Sequence, residues 1–337
     1  MLSSKIRAVI DQHPEFSGVV LVQQAGETVF EGAYGRANRA DDIPNTVSTR
    51  FATASGTKTF TSLAVCQLVE QGKLSFDTLL NECVTEDYPQ KDAPVTLHHV
   101  LSHTSGLPDY YDEEQSDEAL LEVWAARTVA RVRHPRDVLS LFPDRPLKFA
   151  PGTGFSYNNG AYVLLGLVIE GASGMSYHDY VTEHVFRRAG MENSGFFPLD
   201  ELPSGTAQGY MEPQGLRTNV YALPELALPD GGAFVTAPDM AHFWDAMRNH
   251  RLLSPENTAR MMQPHTQAPT HGSNRWYGYG LWMTRDGDDV VQYDVLGGDA
   301  GVGFLSRYAP GSDLVATVAC NDSMTVWPLL HDLGPLL

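Results

Sequence analysis

Cationic side chains are scarce in this chain. Its 337 residues carry 23 lysines and arginines against 41 aspartates and glutamates, a formal charge of −18. That balance argues against nucleic acid and anionic membrane surfaces as partners, because both require a basic footprint. It reads as a solvated surface and leaves small neutral substrates open. Cysteine is scarcer still. Cys66, Cys83 and Cys320 are an odd number at unrelated spacings, so neither a disulfide framework nor a zinc pattern is suggested. Long apolar runs are missing too: no stretch reaches about eighteen apolar residues, and no membrane span is expected. Residues 1–16 include Lys5, Arg7, Asp11 and Glu15 and lack the apolar core of a secretory signal. The expectation is a cytoplasmic protein with reduced thiols, the alternative being a secreted one whose leader has been removed. Hydrophobic residues at 42% and charged residues at 19% are ordinary for a globular protein. The length allows one large domain or two intimate ones.

Strand signals sit at both ends. Val19 to Val22 form a β-branched run, Ala25-Gly26 offers a turn, and Thr28 to Phe30 return, which predicts a hairpin over residues 16–35. Gly301 to Tyr308 and Leu314 to Asn321 are strand-like runs joined by Ala309-Pro310-Gly311-Ser312-Asp313. One sheet built from both termini is therefore expected. Between them the texture is helical. Phe60, Leu63, Ala64 and Leu68 follow a helical period, with Gly72 placed to stop it. Another helix is predicted from about Gly160 to Glu170. Ser176 with Asp179, Thr236 with Asp239, and Ser254-Pro255 mark further helix starts. The acidic stretch from Asp109 to Glu122, with its two tyrosines, reads as a surface insertion.

The segment Phe51 to Phe60 carries the chemistry. Ser55 and Lys58 are three positions apart at the start of a helix, so they project from one face. A serine hydroxyl needs a base to become a nucleophile. Lysine serves only if burial or neighbouring positive charge favours its neutral form. The helix N-terminus helps twice: its partial positive charge opposes the ammonium, and its free N–H groups can face an oxyanion. S-x-x-K alone is a common pattern, but it has a companion in Tyr157-x-Asn159. A tyrosine hydroxyl there can shuttle a proton between Ser55 and a leaving group. The asparagine amide can orient Lys58 or hold a substrate carbonyl.

Further segments extend the pattern: Gly72-Lys73-Leu74-Ser75-Phe76-Asp77, His99-Val100-Leu101-Ser102-His103-Thr104-Ser105-Gly106-Leu107-Pro108, Ala207-x-Gly209-Tyr210, Gly231 to Asp239, and Tyr277 to Trp282. With these, nearly the whole chain resembles the class C β-lactamase-related family, which includes D-alanyl-D-alanine carboxypeptidases, D-aminopeptidases and β-lactamase-like esterases. The resemblance implies an α/β (α+β) fold of β-lactamase/transpeptidase type: an antiparallel sheet from both termini flanked by helices, plus a mostly helical second domain. The sheet domain would comprise residues 1–75 and 232–337 and the helical one 76–231, with the active site at their junction. It also implies a serine hydrolase in which Ser55 is the nucleophile, Lys58 its base, Tyr157 the proton shuttle and Asn159 a substrate-orienting amide. Substrates would be small esters, amides, peptides or β-lactams cleaved through an acyl-enzyme, with no metal or organic cofactor.

One element departs from the family. Where a Lys-Thr-Gly or His-x-Gly is usual, the chain reads Val295-Leu296-Gly297-Gly298-Asp299. Val295 stands in the place of the cation, so recognition of substrate carboxylates should weaken, unless Arg275 or Arg285 supplies the charge from another strand. Esters, uncharged amides or amines become the favoured substrates. Gly297 and Gly298 remain substrate-binding candidates, Gly298 as a backbone oxyanion donor. A non-catalytic relative that binds a ligand or peptide is the alternative reading. His99 and His103 have a spacing that can hold a metal on a helix, but no glutamate follows His99, and the segment matches a family stretch instead. Oligomeric state is not legible.

Overall fold

The computed structural model describes residues 2–113, 131–269 and 272–337. Helix α1 (Leu2–Ile10) leads into strands β1 (Gly18–Gln24) and β2 (Glu27–Tyr34). Ala25 and Gly26 both have positive φ, 51° and 82°, the conformation a two-residue hairpin turn requires. Helices α2 (Thr57–Glu70) and α3 (Asn159–Ser173) follow, then α4 (Ala237–Arg248) and α5 (Pro255–Met262). The chain returns to the sheet through β3 (Thr266–Gln267), β4 (Arg275–Tyr277), β5 (Trp282–Asp286), β6 (Asp289–Asp299), β7 (Val302–Ala309) and β8 (Leu314–Cys320), and closes with α6 (Val326–Leu333). The eight strands lie in the order β2-β1-β8-β7-β6-β5-β4-β3, antiparallel at every paired neighbour. A sheet from both ends of the chain is thus present. The helix starts at Ser176, Thr236 and Ser254 are each capped by the side chain expected.

The central strands are covered on both faces. In β1, Val19 and Leu21 enter a large core shared with α2, α3 and α4, while Val20 and Val22 enter a second core with α1 and α6. This explains why residues 19–22 are all apolar where a strand with one wet face would alternate. Edge strand β2 is mostly exposed and places Glu27 and Glu31 outward, a charged edge that discourages pairing with another chain.

Helix α2 is the hub of the larger core. Residues Thr57 to Leu68 are all buried, so this helix touches protein on every side. Phe60 packs edge-on against Phe186 at 5.0 Å and Phe243 at 5.5 Å between ring centres. Removing such a ring leaves a cavity the surrounding helices cannot close. Phe60→Ala is expected to lower unfolding free energy by about 3–5 kcal/mol, read as a lower urea midpoint with an unchanged slope.

Candidate active site

Ser55 sits in a tight turn, Ala54–Gly56, that opens directly into α2. The turn is clamped from below. Phe51–Ala52 pairs with Phe234–Val235, and Thr53 and Thr57 hydrogen-bond each other at 3.0 Å and reach the backbone of Ala233. Ala54 is held at φ 44°, a left-handed conformation in which a non-glycine residue stores strain. Its carbonyl accepts from Gly232 N at 3.1 Å and from Thr57 Oγ1 at 2.9 Å. Strand β6 closes the other side. A Cβ on Gly297 would lie 2.0 Å from the Thr53 carbonyl oxygen and 2.8 Å from the amide nitrogens of Ser55 and Gly56. Only glycine permits this approach of strand to the Ser55 turn.

Lys58 is buried, with 1% of its surface exposed. Its Nζ donates to Ser55 Oγ at 3.0 Å, to Asn159 Oδ1 at 2.7 Å and to the Asp230 carbonyl at 2.7 Å. Burial pulls the lysine below its ordinary pKa, while the carboxylates of Asp230, Glu113, Asp109 and Asp299 pull the other way. Tyr157 hydrogen-bonds Ser55, and burial raises its hydroxyl well above the usual range, so it stays protonated at neutral pH. Lys58 Nζ also lies 4.8 Å from the centre of the Tyr157 ring. The expected residues Ser55, Lys58, Tyr157 and Asn159 therefore meet at one point. Both Asn159 Nδ2 hydrogens have protein acceptors, the Tyr111 carbonyl and Glu113 Oε1. Of its two anticipated uses, the geometry matches orienting Lys58.

A cavity of about 420 Å³ opens above Ser55. Gly298 lines it, whereas Gly297 is buried beneath. The described residues lining it include Glu113, Asp230 and Asp299 but no lysine or arginine. Burial pushes Asp299 up to about 7, opposing the hydrogen bond from Ala300 N. Phe197, Leu199, Leu223, Leu228, Val302 and Trp327 form its apolar wall. Val295 is fully buried against Gly56, and Leu296 packs beside Tyr157 and Trp282. Whichever of the two is taken as the family's cation position, it is apolar. Neither arginine compensates. Arg275 is bound to Asp294 at 3.0 Å, which Arg307 also holds, and Arg285 pairs with Asp288.

Two expectations need correction or completion. Where it is described, the stretch beginning at Asp109 reaches the surface at Glu113 but is otherwise largely buried. Asp109, Tyr110 and Asp112 are buried; residues 114–122 lie outside the described residues. Asp109 accepts the backbone N–H groups of Asn159 at 2.6 Å and Gly160 at 2.8 Å, anchoring the start of α3. Burial nevertheless pushes its carboxyl up to about 7. Tyr110 donates to Asp230 Oδ2 at 3.0 Å. Acidic composition suggested solvent, but these carboxylates are satisfied by N–H and O–H donors supplied from distant segments. Asp230 was missed altogether; its only signal was a Pro-Asp-Gly-Gly turn pattern. The spacing of His99 and His103 does not act on a helix, because the helical turn ends at Leu101. His99 Nδ1 accepts from Thr96 N, and His103 Nδ1 from Asn158 N.

An antiparallel sheet with a cavity-lining serine hydrogen-bonded to a buried lysine, beside a helical layer, defines a β-lactamase/transpeptidase-type protein. Residues 6–329 match the Beta-lactamase family model, and the chain belongs to that family. It is 30% identical over 311 residues to esterase EstB of Burkholderia gladioli, covering 82% of this chain and 79% of that one. It is also 30% identical over 216 residues to penicillin-binding protein 4* of Bacillus subtilis, covering 63% of this chain but only 45% of that relative's length. The crystal structure of a penicillin-binding protein from Bacillus halodurans superposes with a TM-score of 0.91 at 40% identity, over 98% of this chain and 100% of that one. No described helix is long and apolar enough to cross a membrane.

The buried lysine yields a test through the pH dependence of stability. Below the unfolded-state value of 10.5 the unfolded chain protonates this side chain, whereas the folded state resists until its own lower pKa is reached. The unfolded state binds more protons in that window, so wild-type stability rises with pH through it. Relative to Lys58→Met, the unfolding free energy should climb by up to about 1.4 kcal/mol per pH unit there. Parallel urea-unfolding profiles for the two proteins would contradict the depressed lysine.

Proposed function

We propose that the protein is an acyl-enzyme-forming serine hydrolase acting on esters or amides that lack a carboxylate near the scissile bond. The observation that carries this is the set of three acceptors around Lys58 Nζ. An ammonium has three hydrogens and would donate to all three. A neutral amine has two, which satisfy Asn159 Oδ1 and the Asp230 carbonyl, and its lone pair then faces Ser55 Oγ. In that state Lys58 takes the serine proton as Oγ attacks the substrate carbonyl. Tyr157 gives its hydroxyl proton to the leaving group and is reprotonated by the Lys58 ammonium; the acyl group stays on Ser55 until water hydrolyses it, one water proton returning to Ser55 Oγ. The N–H groups of Ser55 and Gly298 are the proposed oxyanion donors. Such proton transfer contributes on the order of 10²–10⁴-fold.

The substrate preference rests on the cavity's charge. Among the described lining residues, Glu113, Asp230 and Asp299 lie toward the reacting end and no lysine or arginine faces them, so an anionic group there finds no countercharge in a partly dry site. A neutral or amine-bearing group needs none, and the apolar wall suits a hydrocarbon or aryl portion. The esterase among the relatives supports the ester half of this reading.

Intact-mass analysis after fluorophosphonate treatment should give one adduct on the wild type and none on Ser55→Ala. With p-nitrophenyl esters of one chain length, the neutral acyl group should exceed its carboxylate-bearing analogue in kcat/KM by roughly tenfold, which corresponds to 1.4 kcal/mol. Preference for the anionic ester would reject the substrate assignment, and absence of an adduct would reject the hydrolase.

A further inference from the structure

The conspicuous sequence His103-Thr104-Ser105-Gly106-Leu107 takes no part in the chemistry above, yet it forms the bed on which the tyrosine turn lies. The Gly152 amide donates to the Thr104 carbonyl at 2.8 Å, the Lys148 amide to Gly106 at 2.7 Å, and the Asn158 side chain to the Leu107 carbonyl at 2.7 Å. His103 is at the centre. It is fully buried and held at φ 57°, a conformation histidine and asparagine adopt more readily than most residues. Its carbonyl accepts from Ser156 N at 3.0 Å, and its Nδ1 accepts from Asn158 N at 3.1 Å. These are the two residues that flank Tyr157. The imidazole also lies 4.3 Å from the Tyr157 ring, 5.0 Å from Tyr162 and 4.6 Å from Tyr277. Lys58 Nζ rests over the first two of these tyrosines.

We propose that His103 is a positioning residue for the Tyr157 hydroxyl, fixing the backbone on both sides of that tyrosine and packing against its ring. This rests on the acyl-enzyme reading, in which Tyr157 hands a proton to the leaving group. Accepting from Asn158 N requires an unprotonated Nδ1, so the ring proton of the neutral imidazole lies on Nε2. Losing that acceptor leaves the Asn158 amide buried without its partner and frees the turn to shift. Displacement of about 1 Å in a proton donor is enough to cost on the order of a hundredfold in rate.

The leaving group separates this role from a merely structural one. A p-nitrophenolate departs without help, whereas an alkoxide must be protonated as it leaves. His103→Phe keeps a ring and removes the acceptor; His103→Asn offers its Oδ1 near the Nδ1 position and suits the left-handed backbone. For one acyl group, His103→Phe should lower kcat/KM for the ethyl ester by about 10²-fold and for the p-nitrophenyl ester by less than about tenfold. Tyr157→Phe should show the same skew. His103→Asn should keep the ratio of the two esters within about tenfold of wild type. Should His103→Phe fail to fold, His103→Ser, too short to reach Asn158 N, replaces it. Equal losses on both esters per folded molecule would overturn the positioning role, as would a skew in Tyr157→Phe that the His103 variants lack. Failure of the wild type to form a fluorophosphonate adduct at Ser55 would instead remove the hydrolase reading on which the proposal stands.

Discussion

A lysine deprived of water, and hydrogen-bonded to neutral acceptors, is the constraint around which this molecule is organised. Four carboxylates influence Lys58, yet the atoms its Nζ meets are a hydroxyl, an amide oxygen and a backbone carbonyl. A direct carboxylate partner would lock the ammonium form; neutral acceptors leave the proton negotiable. Holding those acceptors in place requires three segments far apart in sequence: the nucleophile turn, the start of α3 and the Asp230 turn. Each is fixed by something else. Asp109 anchors Asn159, Tyr110 holds the Asp230 side chain, and the Thr53–Thr57 pair ties Ser55 to Ala233. Such an arrangement favours function over maximal stability, because a buried lysine costs free energy that an apolar side chain would not.

The same constraint gives meaning to the glycines on β6. Strand and nucleophile turn meet so closely that the residue at 297 must lack a side chain, while Gly298, one position on, lines the cavity and lies under Trp327, whose ring a side chain there would displace. Polarity divides the cavity accordingly: carboxylates near the reacting atoms and hydrocarbon farther out. Val295 and Leu296, both apolar, add no charge to it.

Much of this was legible in the residues. The hairpin and the helix starts follow from turn chemistry and capping patterns, and the pairing of Ser55 with Lys58 from their spacing, whereas the meeting of Tyr157 and Asn159 with them was what the family resemblance implied. What was hidden depends on long-range donors. Asp109 looks like a surface acid until Asn159 N and Gly160 N are brought to it from fifty positions away. Asp230 offers its backbone carbonyl to Lys58, and no side-chain pattern encodes a backbone acceptor. The spacing of His99 and His103 suggested one helical face, but a left-handed residue at position 103 ends that geometry. Periodicity reports local structure, and these roles were assigned by tertiary contacts.

The pairing of β1 with β8 carries a consequence for how the protein is made. Residues 18–24 pair with β2 along one edge, but along the other their partner is residues 314–320, so the first hairpin emerges from the ribosome long before the strand that completes its sheet. Until then one edge of β1 is open to any extended chain nearby. Such late closure is slow, because loop entropy must be overcome before the pairing is gained. The nucleophile turn depends on β6 as well, so the serine acquires its working surroundings only when nearly all of the polypeptide is in place.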